Sequence, residues 1–487
     1  MKNILNAFFN EAELGKINTN IETYRSYQNF EATKQTFLTK LPIYLDKMTL
    51  KKQSIGTKLT FSLLYLNYLF NPEAKIEWSK INPLNISDEI NYDDLKKPDS
   101  PQSILKKIAV LKLNGGLGTS MGCVGPKSLV PIFKNKNFLT IIQEQLSFFE
   151  STYKVKLPLI LLNSFNTHSQ TERFFKKENK PFNAIIQNQF PKINKQSGEP
   201  FTMRTNSDQE WNPPGHGDVF LTLNESGWID KLINDNKEYI FISNSDNIGA
   251  TIDIAIPNYM SENNVDFLME TTKKTKLDVK GGTLVRVNNK LTLLERAQVE
   301  TEHLPEFENI QKFKIFNTNN IWINLKQLKR KMEKENFLLP LIANPKTINN
   351  TNIIQLETAM GAAINLFDNA ITCVVPRTRF LPVKKTSDLM LLRSDFLIKE
   401  NNTYRFSEQV DVNDLPSISL GKEFDTVEKY ENRVLETPSL KTVKSLKIEG
   451  NVHIEKNVTF SGNVSIKRAD QKEIRLKNEI IDETTSF

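Results

Sequence analysis

Cysteine is nearly missing from this chain: 487 residues hold two, Cys123 and Cys373. So few thiols exclude a disulfide framework. Long apolar runs are missing too. The most apolar window, Leu59 to Phe70, is too short to span a bilayer and contains Asn67. The N-terminus, MKNILNAFFNEAELGK, meets charges after a few apolar residues and lacks the shape of a secretory signal. No long block of lysine and arginine occurs, which argues against nucleic acid as a partner. These absences leave a cytoplasmic chain with no membrane partner as the expectation. The rest of the composition is that of a globular protein, 39% hydrophobic and 25% charged, long enough for two or three domains. The net charge of +7 is small against 64 basic and 57 acidic residues, and suits a protein that handles polyanionic small molecules.

Against this plain background one stretch stands out, LKLNGGLGTSMGCVGPKS from Leu111 to Ser128. The apolar run Ile108-Ala109-Val110-Leu111 before it reads as a buried strand. Gly115, Gly116, Gly118, Gly122 and Gly125 follow within eleven residues. A strand that ends in such a loop turns backbone N–H groups into a concave anion site, and glycine lets the backbone approach a ligand. Lys127 adds a point charge for a phosphate. Two better-known glycine motifs fail here. The glycine after Gly116-x-Gly118 comes one residue late for a dinucleotide fingerprint, and Pro126 separates Gly125 from Lys127, which breaks the P-loop pattern. Cys123 reads as a small filler of this loop, not a nucleophile.

Three regions are expected. Residues 1–100 read as helical and peripheral, with Leu59, Leu63, Leu66 and Leu69 on one buried face. Residues 101–395 alternate apolar strand-like runs, such as Leu157 to Leu162 and Tyr239 to Asn244, with amphipathic segments. That pattern implies an α/β domain with a mixed, largely parallel sheet, whose ligands bind beyond the carboxyl ends of the strands. Residues 396–487 contain a period of six. Leu446, Val452, Val458 and Val464 form one series, and Ile448, Ile454, Phe460 and Ile466 a second. Asn451, Asn457, Asn463, Gly450 and Gly462 mark the corners of what reads as a hexapeptide-repeat β-helix.

Several further motifs stand at the ends of expected strands or in rigid loops. They are Asn163-Ser164-Phe165-Asn166-Thr167, Gln187 before Pro191, Pro213-Pro214-Gly215-His216-Gly217-Asp218, and Ser243-Asn244-Ser245-Asp246-Asn247. Later come Lys280-Gly281-Gly282-Thr283, Glu295, Phe316-Asn317-Thr318-Asn319-Asn320-Ile321-Trp322, and Val375-Pro376-Arg377-Thr378-Arg379-Phe380-Leu381-Pro382-Val383-Lys384. The Gln187 amide offers both a donor and an acceptor, which reading a uracil edge requires, but a lone glutamine does not establish that role, which rests on the resemblance given below. A carboxylate such as Asp246, at a strand end beside a phosphate site, is the expected holder of Mg²⁺. Phe380, Leu381 and Val383 predict a buried strand that delivers Lys384 into a cleft, with Lys385 as the alternative.

Together, and in this order, these motifs resemble those of the eukaryotic-type UTP–glucose-1-phosphate uridylyltransferases, the UDP-glucose pyrophosphorylases. The resemblance implies a Rossmann-like nucleotidyltransferase sheet, a C-terminal left-handed β-helix that mediates oligomers in some branches, and Mg²⁺ as cofactor. The implied reaction joins UTP and α-D-glucose 1-phosphate to give UDP-glucose and pyrophosphate, reversibly and by direct in-line transfer. By the same resemblance, Leu113, Asn114, Gly115, Gly116, Gly118, Lys127, Gln187, Gly215, Asp246 and Lys384 bind the nucleotide. Gly116, His216, Asn244, Asp246, Gly282, Glu295 and Asn319 bind the sugar phosphate, and Lys127 and Lys384 serve catalysis. The alternatives are a UDP-sugar pyrophosphorylase, a UDP-N-acetylhexosamine pyrophosphorylase, whose loop typically carries an arginine not found between Leu111 and Ser128, and a non-catalytic nucleotide-sugar-binding scaffold.

Overall fold

The computed structural model describes residues 2–133, 136–205, 207–275, 278–334, 337–400, 402–408, 410, 415–468, 472–482 and 485–486. Its centre is an eight-stranded sheet. In chain order the strands are β1 (Glu89–Asn91), β2 (Ile108–Asn114), β3 (Leu159–Asn163), β4 (Ala184–Ile186), β5 (Tyr239–Asn244), β6 (Phe267–Lys273), β7 (Ile315–Asn324) and β8 (Ala370–Val374). Their order across the sheet is β1-β8-β6-β7-β5-β2-β3-β4. Only β7 runs against its neighbours, pairing antiparallel with both β5 and β6. The sheet is therefore mixed and mostly parallel, as the alternation of apolar runs predicts.

Why these segments form strands follows from which residues they bury. Side chains alternate across a strand, so a run that is apolar throughout buries both faces. Ala109, Leu111, Ile240, Ile242, Ile321 and Ile323 enter the core on one face. Their sequence neighbours Ile108, Val110, Tyr239, Phe241 and Trp322 enter the core on the other. Ile242 pairs with Leu111, and Leu113 with Leu162, so β5, β2 and β3 end level with one another.

The N-terminal helices are Glu11–Glu22, Phe30–Leu50 and Ile55–Phe70, of which the first and third start at side-chain caps. Asn10 and Ser54 accept backbone N–H groups of the first turn in the first and third of them. They share a core with Phe190, Trp211 and Leu356, so they brace the outer wall of the sheet domain. The segment that follows them is not only peripheral: Glu89–Asn91 joins the central sheet as edge strand β1, parallel to β8.

Beyond residue 438 the period of six becomes geometry. Leu446, Val452, Val458 and Val464, and Ile448, Ile454, Phe460 and Ile466, are all buried in one core. Leu446 pairs in parallel with Val464, and Ile448 with Ile466, a step of eighteen residues. Gly450, Asn457 and Gly462 turn corners with positive φ. Asn451 and Asn463 do not adopt positive φ; Asn463 instead accepts a hydrogen bond from the Ser445 hydroxyl at 2.8 Å. The helix Thr386–Arg393 connects this region to the sheet domain, with Met390 in the C-terminal core and Leu389 and Leu392 in the core beneath the glycine loop.

Candidate active site

The level ends of β2, β3, β4 and β5 release four loops on one edge of the sheet. A cavity of about 380 Å³ opens there. Leu113, Gly115, Gly116, Lys127, Gln187, Gly215, His216, Asn244 and Asp246 line it, gathered from stretches far apart in the chain. The glycine loop closes on itself. The Gly118 N–H donates to the Gly125 carbonyl at 3.0 Å, and the Lys127 N–H to the Gly116 carbonyl at 3.0 Å. That closure carries Lys127 back to the cavity, where its ammonium forms an ion pair with Asp246 at the end of β5. Both side chains are less than one-fifth exposed.

Gln187 sits between two glycine loops. Its Nε2 donates to the Gly215 carbonyl at 2.8 Å, and a Cβ built on Gly115 would lie 2.4 Å from its Oε1. A methyl at position 115 would therefore displace the Gln187 amide. Gly215 is required by backbone conformation, with φ of 81° and the Thr358 carbonyl against its Cα. The next residue, His216, accepts the Met360 N–H on Nδ1 at 3.0 Å. With Nδ1 as acceptor the proton of the neutral ring resides on Nε2. Burial pushes this imidazole down to about 4, so at neutral pH it is an uncharged donor. Asp218 anchors the same loop. Burial raises its pKa, while the Asn188 side chain and backbone and the Thr222 hydroxyl donate to its carboxylate and oppose the rise.

Other expected residues sit elsewhere. Asn114 is a buried strut and does not line the cavity: its Nδ2 donates to Asn163 Oδ1 at 2.7 Å and to Thr171 Oγ1 at 3.0 Å. Gly118 is buried against Cys123 within the loop. The expected sugar residues form a chain leading to the cavity wall. Gly282 lies against the Glu295 carboxylate, and its carbonyl accepts the Asn317 N–H at 2.8 Å. Asn317 Nδ2 in turn donates to Asn319 Oδ1 at 3.2 Å, and Asn319 Nδ2 approaches Asn244 Oδ1 at 3.5 Å. A register shift between Glu270 and Thr271, opposite Thr318 and Asn319, and a positive φ of 62° at Asn319 make this bulge. Burial raises the pKa of Glu295.

Lys384 requires a correction. Its segment is no strand: β8 stops at Val374, a short 3₁₀ turn covers Arg377–Arg379, and only an isolated bridge joins Asn247 to Pro382. Pro376 and Pro382 have no N–H for a ladder. Polar side chains hold the segment instead. Asn247, fully buried, accepts the Leu381 N–H at 2.8 Å and donates to the Arg379 carbonyl at 3.1 Å. The Val383 N–H reaches the Asp246 carbonyl at 3.3 Å, and the Ser120 hydroxyl reaches the Lys384 carbonyl at 3.4 Å. The backbone of Lys384 thus touches the glycine loop, while its side chain is exposed and lines the neighbouring cleft with Asp278 and Arg377.

Sequence reasoning missed the groups that support these loops. Glu270, fully buried, takes both arms of Arg379, the indole N–H of Trp322 at 2.8 Å and the Asn320 amide at 3.0 Å. Lys112 donates to Ser243 Oγ at 2.7 Å and to the Ala250 carbonyl at 2.6 Å, and burial pushes it down to about 7. A lysine within an apolar strand was the one available signal. Among the cavity-lining residues Asp246 is the one carboxylate. A single hard oxygen donor in a cavity otherwise lined by glycine backbone, amides and a lysine fits a cation that keeps its waters and takes substrate phosphates, as Mg²⁺ does, better than one caged by protein.

The model of the family described as UTP–glucose-1-phosphate uridylyltransferase matches residues 59–461. The UTP–glucose-1-phosphate uridylyltransferase of Musa acuminata is 43% identical over 426 residues, 86% of this chain and 91% of that one. The protein of that name from Saccharomyces cerevisiae is 42% identical over 429 residues, 86% of each chain. Among solved structures, a mutant UDP-glucose pyrophosphorylase from Leishmania major in complex with UDP-glucose superposes with a TM-score of 0.84 at 32% identity, covering 92% of this chain and 99% of that one.

Proposed function

The chain belongs to the UTP–glucose-1-phosphate uridylyltransferase family, and from that premise we propose that its cavity converts UTP and α-D-glucose 1-phosphate to UDP-glucose and pyrophosphate. The observation that carries the assignment is the convergence of the glycine loop, Gln187, the Gly215-His216 loop and the Lys127–Asp246 pair on one cavity. A phosphate oxygen of glucose 1-phosphate attacks the α-phosphorus of UTP in line, a new P–O bond forms, and the bond to the β-phosphate breaks to release pyrophosphate. The attacking oxygen is already anionic, so no general base is needed, and catalysis rests on positioning and charge neutralisation.

In this reading Leu113, Gly115 and Gly116 hold the nucleotide, and Gln187 reads the base with the part of its amide that Gly215 leaves free. Lys127 exchanges its carboxylate partner for a substrate phosphate. His216 donates from Nε2 to the sugar phosphate without adding charge. Asn244, Gly282, Glu295 and Asn319 take the hexose hydroxyls. Lys384 reaches the reacting phosphates when its cleft closes toward the cavity. Asp246 would hold Mg²⁺, which when bound neutralises phosphate charge. Asn114 and Gly118 serve by shaping the loop.

We read residues 1–100, 101–395 and 396–487 as helical support, catalytic domain and C-terminal domain. The eighteen-residue step, three hexapeptides per coil, supports a left-handed β-helix in the last of these, with homo-oligomers forming through it. Among the described residues no helix is long and apolar enough to cross a membrane, and a cytoplasmic location is proposed. The test is pyrophosphate release from the purified chain with UTP, Mg²⁺ and glucose 1-phosphate, with galactose 1-phosphate in parallel. Release that requires glucose 1-phosphate and Mg²⁺ is the expected result. Binding of UTP with no release from any sugar phosphate would overturn it, and equal release from both sugars would move the assignment to a UDP-sugar pyrophosphorylase.

A further inference from the structure

Strand β2 carries a single charged side chain, Lys112, and that side chain does not line the substrate cavity. It is 2% exposed. Alternation puts it on the face of Ile108 and Val110, with its ammonium 5.3 Å from the ring centre of Phe241. The charged groups that face it are Arg379 and Glu270, and these two hold each other. A leucine here would continue the apolar run, whereas an ammonium is costly to bury unless its donors are met. Two of the three are met, by Ser243 Oγ at 2.7 Å and by the Ala250 carbonyl at 2.6 Å.

Both acceptors flank the turn that carries Asp246. Ser243 is the register partner of Lys112 on β5, so its hydroxyl fixes the ammonium at the strand end. Ala250 lies where the chain returns after the turn, so the second bond ties that return limb back to β2. The residues after Lys112 grip the same turn: the Leu113 carbonyl accepts the Ser245 N–H at 3.1 Å, and Asn114 Oδ1 accepts the Ser245 hydroxyl at 3.4 Å. Two further carbonyls of the return limb are taken by other elements, Ile248 by Gln145 Nε2 at 2.9 Å and Thr251 by Arg379 Nη2 at 3.0 Å. Of the three side chains on this limb, Lys112 is the one from the strand that feeds the glycine loop, and thus Lys127. We propose that Lys112 is a positioning residue for the cation site: by tying the return limb to β2 it sets the Asp246 carboxylate relative to the glycine loop. This rests on the reading of Asp246 as the holder of Mg²⁺, and Lys112 acts through that carboxylate, not on the substrate.

The test uses Mn²⁺ as probe, its binding to the full chain read by electron paramagnetic resonance with UDP-glucose at saturation. UDP-glucose affinity is measured beforehand by calorimetry without metal, and pyrophosphate release separately, so failure of the proposed function registers apart. Lys112→Met keeps the apolar stem and removes both hydrogen bonds. Expected are a cooperative melt, UDP-glucose affinity within about threefold of the natural chain, and Mn²⁺ affinity weaker by about tenfold. Ser243→Ala, which leaves the Ala250 bond in place, weakens Mn²⁺ binding by about two- to threefold, and it decides the matter if Lys112→Met does not fold. Unchanged Mn²⁺ affinity in the folded variant overturns the proposal. So does a loss of UDP-glucose affinity as large as that of Mn²⁺, which marks a general loosening of the site. A natural chain that binds UDP-glucose but no Mn²⁺ overturns it together with the cation role of Asp246. A natural chain that shows the expected Mn²⁺ differences but releases no pyrophosphate overturns the proposed reaction and leaves the role of Lys112 standing.

Discussion

The two cationic side chains assigned to catalysis stand in different states. Lys127 is assembled: its loop is closed by backbone hydrogen bonds, and its ammonium lies in the cavity on Asp246. Lys384 is half assembled: its carbonyl is tied to the glycine loop and the preceding Val383 N–H to Asp246, yet its side chain is exposed in the next cleft. Both lysines come from loops, so the difference is one of attachment. The glycine loop leaves the centre of the sheet between β5 and β3 and closes on itself, whereas the Lys384 segment is held by side chains of other elements, Asn247 and Glu270 among them, and leads into the helix that carries the C-terminal region. On the proposed function, such a site would bind nucleotide before it completes its charge set, and motion of the C-terminal half would bear on turnover more than on UTP affinity.

Substitutions sharpen or break that contrast. Asp246→Ala removes the carboxylate of the assembled pair and strands Lys127, and kcat/KM should fall by ~10³ or more in the pyrophosphate-release assay. Lys384→Ala should lower kcat by ~10² while UTP affinity, read by equilibrium titration, changes by less than about threefold. A matching loss of UTP affinity would place Lys384 in the preassembled set and end the contrast. Glu295→Gln should raise KM for glucose 1-phosphate by roughly tenfold and leave that for UTP unchanged, since the proposed function gives this carboxylate to the hexose. Gly115→Ala drives a methyl into the Gln187 amide, so KM for UTP should rise several-fold, a change of about 1 kcal/mol.

The last effect, on stability rather than turnover, concerns pH. His216 titrates at about 4 in the folded chain against an ordinary 6.5, so the unfolded chain binds more protons between those values. Folding stability is therefore full above pH 6.5 and falls as pH drops toward 4. His216→Gln should flatten that fall by about 1–3 kcal/mol in denaturant melts at several pH values. An unchanged slope would mean that the ring is not held neutral.

Much of this molecule is legible in one dimension. The strands Tyr239–Asn244 and Ile108–Asn114 are recognisable because burial on both faces demands an unbroken apolar run. The six-residue period of the C-terminal region is recognisable because each repeat sends an apolar pair into the same core, with Leu446 and Ile448 level with Val464 and Ile466. Lys384 misled for the converse reason. Apolar residues around it do signal burial, but burial against Asn247 rather than in a ladder, and a sequence does not distinguish the two. Asn114 misled because an amide at a strand end serves equally as ligand contact or strut, and only the neighbours Asn163 and Thr171 decide.

By itself the sequence determined the fully apolar strands such as Ile108–Asn114 and Tyr239–Asn244, the six-residue period, and which chemistry-bearing side chains stand at the ends of those strands, since each depends on local sterics and periodicity. The tertiary structure alone decided that Lys127 meets Asp246 across 119 residues, that Gln187 closes onto Gly215, and that Lys384 faces another cleft. Those facts depend on strand order and on buried polar groups finding partners, and both are settled by contacts between segments distant in the chain.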